Sequence, residues 1–251
     1  MDDRPKVDPA HAGSGVRFAV AHPTAQMPAR EKDAMPVAHH RRHIAGLIEE
    51  EDRAAIRVYN ASAPDDFRLR TELGAAPYDG DFSLAPVVML LGSPGYDETS
   101  APNDHAFERE GWPFAGLHPE APPGLRLRWH ARLASLVDAF GAQHVANSVL
   151  ALHVTPWASR RFDPTLRLPS RRRILHLAGD IVRRGALLMV LRAAELWTEH
   201  PEIAALPASR RIQARSWRAS HVHPDNIGDE AWVAVCQRVE AHIWNGRRRS
   251  A

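Results

Sequence analysis

Val87 to Leu91 reads VVMLL, five apolar side chains in succession, and the run halts at Gly92-Ser93-Pro94-Gly95. A strand with one wet face alternates apolar and polar residues, whereas a strand covered on both faces reads as a continuous apolar run. This stretch therefore points to a parallel sheet held between helices, an arrangement that binds ligands beyond the carboxyl ends of its strands. The Gly-Ser-Pro-Gly turn stands at such an end, followed by Asp97 and Glu98. It is a candidate site; an ordinary strand-to-helix turn has the same composition.

The pattern then repeats. Apolar runs over 87–92, 144–154 and 186–193, with a more polar one over 210–217, alternate with helix-like segments such as LRLRWHARLASLVDAF, SRRRILHLAGDIVRRG and DEAWVAVCQRVEAHIW. Strands alternating with helices imply right-handed crossovers and a three-layer α/β/α domain with a four-stranded parallel central sheet. Its limits are expected at residues 41–251, after a flexible segment over 1–40 that is rich in Pro, Ala, His and charge without periodicity. A helix is expected over Ala38 to Asn60, with loops marked by Pro64 and by Pro77 to Gly80. Ser170 reads as a helix N-cap and Gly185 as a helix stop.

Composition narrows the chemistry. Cys236 is the only cysteine, which excludes an internal disulfide, a thiolate zinc site and a cysteine-ligated iron–sulfur cluster within one chain. The 15 histidines contain no H-E-x-x-H pair, so neither metal nor cofactor is expected. No apolar run approaches the roughly 20 residues that span a bilayer, and the first residues lack a signal core, so a cytoplasmic monomer without membrane contact is expected. Net charge is +2, but Arg is clustered in SRRFDPTLRLPSRRR and ASRRIQARSWR while Lys is scarce. Clustered guanidinium groups suit phosphate, and solvated helix faces can have the same composition.

In an open parallel sheet the strand ends converge, so the segments after the four runs belong together. They are Gly92 to Gly95, Asn147 with His153 to Trp157, Arg192, and Ser220-His221-Val222-His223-Pro224. Between the first two lies GWPFAG, with Trp112 and Phe114 among glycines and a proline.

These segments resemble motifs of the uracil-DNA glycosylase superfamily, whose members flip a base out of DNA and cut its N-glycosidic bond. LGSPG (91–95) is similar to the first motif, which reads GQDPY, GINPG or GEAPG in different branches. GWPFAG (111–116) resembles the loop whose Phe stacks on the flipped base, NSVLAL (147–152) the strand opening with a base-reading Asn, and HVHP (221–224) the closing motif. The resemblance spans roughly residues 86–227. It lacks the cysteines of some branches, and Ser93 stands where water-activating branches carry Asp or Asn.

The resemblance implies a monofunctional glycosylase acting on DNA. His221 would donate to the departing base, with His223 as runner-up and backbone capping as the structural alternative for either. Asn147 would read a pyrimidine edge, or simply bond the backbone at a strand start. Phe114 would stack on the base, a role that Trp112 or Phe107 could exchange with it, and core packing is the usual fate of a Phe. Ser93 would hold water, with Asp97 or Glu98 as the missing carboxylate. Gly92, Pro94 and Gly95 would form the pocket wall. Arg160, Arg161 and Arg171 to Arg173 would grip phosphate, and Ile227 would wedge into the base stack unless it is a buried aliphatic.

In the GQDPY branch a Tyr at the last position excludes a C5 substituent, and here that position is Gly95. The expected substrate is a C5-modified cytosine, such as the hydroxymethylated or glucosylated cytosine of bacteriophage DNA, in a role resembling a phage-defence glycosylase. Uracil repair is the alternative. Two other classes compete: a non-catalytic DNA-binding protein on the same fold, and a Rossmann-like nucleotide enzyme, for which GxGxxG and the P-loop are missing.

Overall fold

The computed structural model describes residues 37–96, 99–102, 104–216 and 219–249. Most of the expected flexible segment 1–40 lies outside them, but its last four residues already belong to a helix. The elements in chain order are α1 (Val37–Ser62), β1 (Tyr78–Gly80), β2 (Val87–Leu91), α2 (Pro123–Phe140), α3 (Ala142–Ser148) and β3 (Val149–His153). After these come α4 (Arg171–Arg183), β4 (Leu187–Val190), α5 (Ala194–Trp197), α6 (Pro201–Ala204), β5 (Arg211–Gln213), α7 (Pro224–Ile227) and α8 (Asp229–Arg249). Among the described residues, no helix is long and apolar enough to cross a membrane.

The sheet order is β1-β3-β2-β4-β5. β2 pairs in parallel with β3 from Val87↔Val149 to Leu91↔His153 and with β4 from Val87↔Leu187 to Leu90↔Val190; β4 pairs in parallel with β5. The four parallel strands fall within the four expected runs. The sheet nevertheless has five strands and is mixed, because β1 runs antiparallel along β3, Tyr78 opposite Leu152 and Gly80 opposite Leu150. That corrects the loop expected over Pro77 to Gly80. Gly80 is required there: its φ is +112°, and a Cβ would sit 2.3 Å from the Val149 carbonyl oxygen.

β2, β3 and β4 are buried along their whole length, which is why they carry no polar alternation. One set of side chains, including Val88, Leu90, Leu150, Leu152 and Leu188, packs with Ile44 and Ile48 of α1 and Ile174 and Ile181 of α4. The opposite set, including Val87, Met89, Leu91, Ala151 and Met189, packs with Leu133 and Leu136 of α2 and Val235 and Val239 of α8. Helices thus cover both faces.

Ser170 precedes α4 but makes no side-chain cap. Its Oγ donates to Asp52 Oδ2 at 2.6 Å and its N–H to Asp52 Oδ1 at 2.9 Å, while Trp157 Nε1 donates to Oδ2 at 2.8 Å. The buried Asp52 carboxylate is satisfied by three donors, and it fastens α1 to the segment between β3 and α4. Gly185, with φ +87°, follows the end of α4 as the stop that its sequence suggests.

Candidate functional site

The chain leaves β2 toward β3 on one side, then crosses to β4 on the other, so β2 and β4 flank the point at which the strand order reverses. Connections diverge there and leave a crevice outside the carboxyl ends. Backbone bonds hold its rim: Val154 N–H donates to Leu91 O at 3.0 Å, Thr155 N–H to Gly92 O at 2.9 Å and Leu191 N–H to Leu90 O at 3.1 Å. Gly92 allows the Phe162 ring to cross close by, since a Cβ would meet that ring at 3.2 Å.

A cavity of about 340 Å³ occupies this crest. Ser93, Gly95 and Tyr96 line it from the turn after β2, and Ser159 and Arg160 from the segment after β3. Arg192 enters from the end of β4, Ser220 from the loop after β5, and Arg128 and Arg132 from α2. Arg128 Nη1 donates to Pro94 O at 2.9 Å and Nη2 to Ser100 Oγ at 3.2 Å, which pins the turn. One helical turn later, on the same face, Arg132 Nε donates to Ser220 Oγ at 3.0 Å, and Val222 N–H donates to Arg132 O at 2.8 Å. Burial pushes the Arg132 pKa down to about 10, and the charges of Arg128 and Arg192 add to the effect. The Tyr96 ring lies under two guanidinium groups, Arg70 at 4.9 Å and Arg160 at 5.8 Å.

Of the residues singled out in the sequence, Gly92, Ser93, Gly95, Arg160, Arg192 and Ser220 meet in this cavity, and Pro94 contributes its carbonyl to the turn's anchor. Asp97 and Glu98 lie outside the described residues. His221 is exposed on the Ser220 loop. His223 takes the capping role instead: its Nδ1 accepts from Asp225 N–H at 3.1 Å at the start of α7. Buried Asn226 holds the loop, donating to His221 O at 2.9 Å and accepting from Ser216 N–H at 3.3 Å.

Other expectations need correction. Asn147 belongs to helix α3, not to a strand; its Nδ2 donates to Gln143 O at 2.8 Å. With Trp112 it lines a separate cavity of about 440 Å³ beside Arg41, Glu108 and Arg109. Trp112 itself packs edge-on against His118 at 4.9 Å. Phe114 is 0 % exposed and meets Trp129 edge-on at 4.8 Å, so no base can stack on it as the fold stands. The GWPFAG loop is a packing device: a Cβ on Gly116 would lie 2.2 Å from Trp129 Cδ1. Phe107 is only partly buried, packed against the same apolar cluster.

Ile227 is a buried member of that cluster and is not placed to wedge into DNA. Arg171 is buried in an ion pair with Glu199, and Arg173, a third exposed, pairs with Glu51. Arg172 is exposed on α4, and Arg161 is exposed with its guanidinium over Phe67 at 5.1 Å. Cys236 is half-buried, and burial raises its pKa.

The sequence placed His153 among the strand-end residues but gave it no role. His153 ends β3 and is 0 % exposed; its Nδ1 lies 2.9 Å from Ala76 O. A carbonyl only accepts, so Nδ1 carries the proton and Nε2 is left as an acceptor, buried without a partner among the described residues. Burial pushes the His153 pKa down to about 3, and the charges of Arg132, His105 and Arg128 add to this. His105 is also buried, with both ring nitrogens lacking a partner among the described residues, and burial brings its pKa to about 3. The available signal was a polar residue closing an otherwise apolar strand. Deeper still, the Asp79 carboxylate receives Arg41 Nη1 at 2.9 Å; burial raises its pKa against the pull of that arginine.

Among the described residues, no group of three His, Cys, Asp or Glu side chains is arranged to hold a metal ion. Comparison with protein-family models, curated proteins and solved structures found no match.

Proposed function

We propose that the chain is a DNA glycosylase working at the crest cavity on a C5-modified cytosine. The observation that carries this reading is convergence: segments following four parallel strands, with two arginines of α2, line one cavity at the reversal of strand order. Of the motifs that resemble the uracil-DNA glycosylase superfamily, LGSPG lines this cavity and HVHP directly follows its Ser220, and that resemblance supplies the reaction.

In that reaction the bond between sugar C1′ and the base nitrogen breaks, its electron pair leaves with the base, and water adds to C1′ with loss of a proton. Negative charge grows on the base, and guanidinium groups at the crest are suited to stabilise it. Tyr96 takes over the stacking role that Phe114 cannot perform, and Ser93 is available to orient water. His221, adjacent to the cavity-lining Ser220, remains the donor to the departing base, whereas His223 has its Nδ1 engaged as a helix cap.

Gly95 supports room beside C5: among the described residues, no atom outside its immediate chain neighbours comes closer to its Cβ position than Arg128 Nε at 3.9 Å. Its φ of +81° means that Gly95→Tyr would strain the turn as well as fill the space, so substrates test this better than that substitution does. Ser93, a neutral hydroxyl where an acid or amide is usual, favours one second reading, binding of DNA without cleavage. Oligonucleotides carrying cytosine, uracil, hydroxymethylcytosine or glucosylated hydroxymethylcytosine, incubated and then treated with alkali, separate the two. Strand breaks at the modified cytosine are expected; breaks at uracil alone reassign the substrate, and binding without breaks selects the second reading.

A further inference from the structure

Resting on the reading of the crest cavity as a DNA site, we infer that a neighbouring groove along α1 seats a backbone phosphate of the same strand, held by Arg53 and Arg57. The groove is a cavity of about 480 Å³. Glu49, Arg53 and Arg57 line it from α1, Thr71 and Gly74 from the segment before β1, and Trp157 from the segment after β3. Its walls are fastened together: Asn60 Nδ2 donates to Leu69 O at 2.8 Å, and Asn60 Oδ1 accepts from Leu69 N–H at 2.9 Å.

Arg53 and Arg57 lie one helical turn apart on the same face, and both are exposed. The other two arginines of α1 are ion-paired, Arg41 with Asp79 and Arg42 with Glu108. The guanidinium groups of Arg53 and Arg57 have no hydrogen bond or ion pair among the described residues. Glu49 stands four residues before Arg53, the spacing of a helical Glu–Arg pair, yet its Oε1 accepts from Ala75 N–H at 3.2 Å instead. Like charges at such spacing repel, and an anion in the groove offsets the repulsion. Phosphate suits the place, because its tetrahedral oxygens can meet two guanidinium forks at once.

The groove adjoins the crest cavity, which is why the phosphate is assigned to the same strand. Trp157 lines the groove and Ser159 the crest cavity, two residues apart and so within about 7 Å along the chain. Thr71 also lines the groove, while the guanidinium of the preceding residue, Arg70, lies over the Tyr96 ring of the crest at 4.9 Å. A strand with one nucleotide at the crest passes its flanking backbone over this wall.

The test measures binding of a labelled single-stranded cytosine 12-mer by fluorescence anisotropy over a salt series, and of deoxycytidine 5′-monophosphate by calorimetry. The proteins are wild type, Arg53→Gln, Arg57→Gln, the Arg53→Gln/Arg57→Gln double variant and an Arg238→Gln/Arg248→Gln control. The control removes the same charge from exposed positions of α8, which packs on the opposite face of the sheet. The double variant should bind the 12-mer at least about fivefold more weakly, with a salt slope lower by about 0.7, the share of one strand phosphate. Its response to the monophosphate should match wild type. Each single variant should lose part of the 12-mer affinity, which keeps the test decisive if the double variant does not fold. No 12-mer binding by wild type, affinity and slope untouched by the substitutions, or an equal loss in the control overturns the inference. Loss of monophosphate binding to the same degree as 12-mer binding also overturns it, by making the groove a site for a free nucleotide. Strand binding that depends on Arg53 and Arg57 without an abasic product upholds the groove and removes the glycosylase; abasic product with no such dependence does the reverse.

Discussion

His153 shows how burial sets the chemistry of one residue. Its imidazole is held neutral by burial, with its proton on the side of Ala76, so its titration is a statement about stability. The folded pKa of about 3 lies below the ordinary 6.5, and the unfolded chain therefore binds the proton more readily between these values. The stabilisation is complete above pH 6.5 and is lost as pH falls toward 3, at up to about 1.4 kcal/mol per pH unit. His105 behaves likewise. Melting temperature should thus drop between pH 7 and pH 4, and His153→Gln or His105→Gln should flatten that drop; an unchanged slope in both variants would mean that the imidazoles are not buried neutral groups. The same scale separates the paired histidines after β5: His223 uses its Nδ1 as a cap, whereas the His221 side chain is exposed.

At the scale of elements, what could be read from the sequence followed from burial. β2, β3 and β4 are continuous apolar runs because both faces are covered, and that signal survives without knowledge of neighbours. β1 has no such signal: Tyr78-Asp79-Gly80 becomes a strand because the edge of β3 offers it a partner. Asn147 was misread because α3 inserts a helix of seven residues immediately before the strand. Residue type near a motif does not fix where a side chain points, and Phe114 and Ile227 both took the packing alternative to the role that the resemblance implied. Arg128 and Arg132 lie on one face of α2, but only packing of that helix under the strand ends makes them part of the site. Phe114→Ala should cost about 3 to 5 kcal/mol of stability by opening a cavity against Trp129, measured by denaturant unfolding. A loss of base binding with full stability would instead restore its stacking role.

For the whole molecule, the sheet acts as a frame whose strand order determines where function is placed. Crossovers on both sides of β2 open the crest, two apolar layers hold the strands rigid, and α2 brings two arginines to the opening. On the proposed function, a modified cytosine is released at that crest. Mass-spectrometric detection of free base, after incubation of DNA rich in glucosylated hydroxymethylcytosine with wild-type protein and with His221→Ala, tests it most directly. The account predicts free modified base with wild type and a yield rate about a hundredfold lower or less with the variant, the typical scale for a lost general acid. No free base from the wild type, or release at equal rates by both proteins, would contradict it.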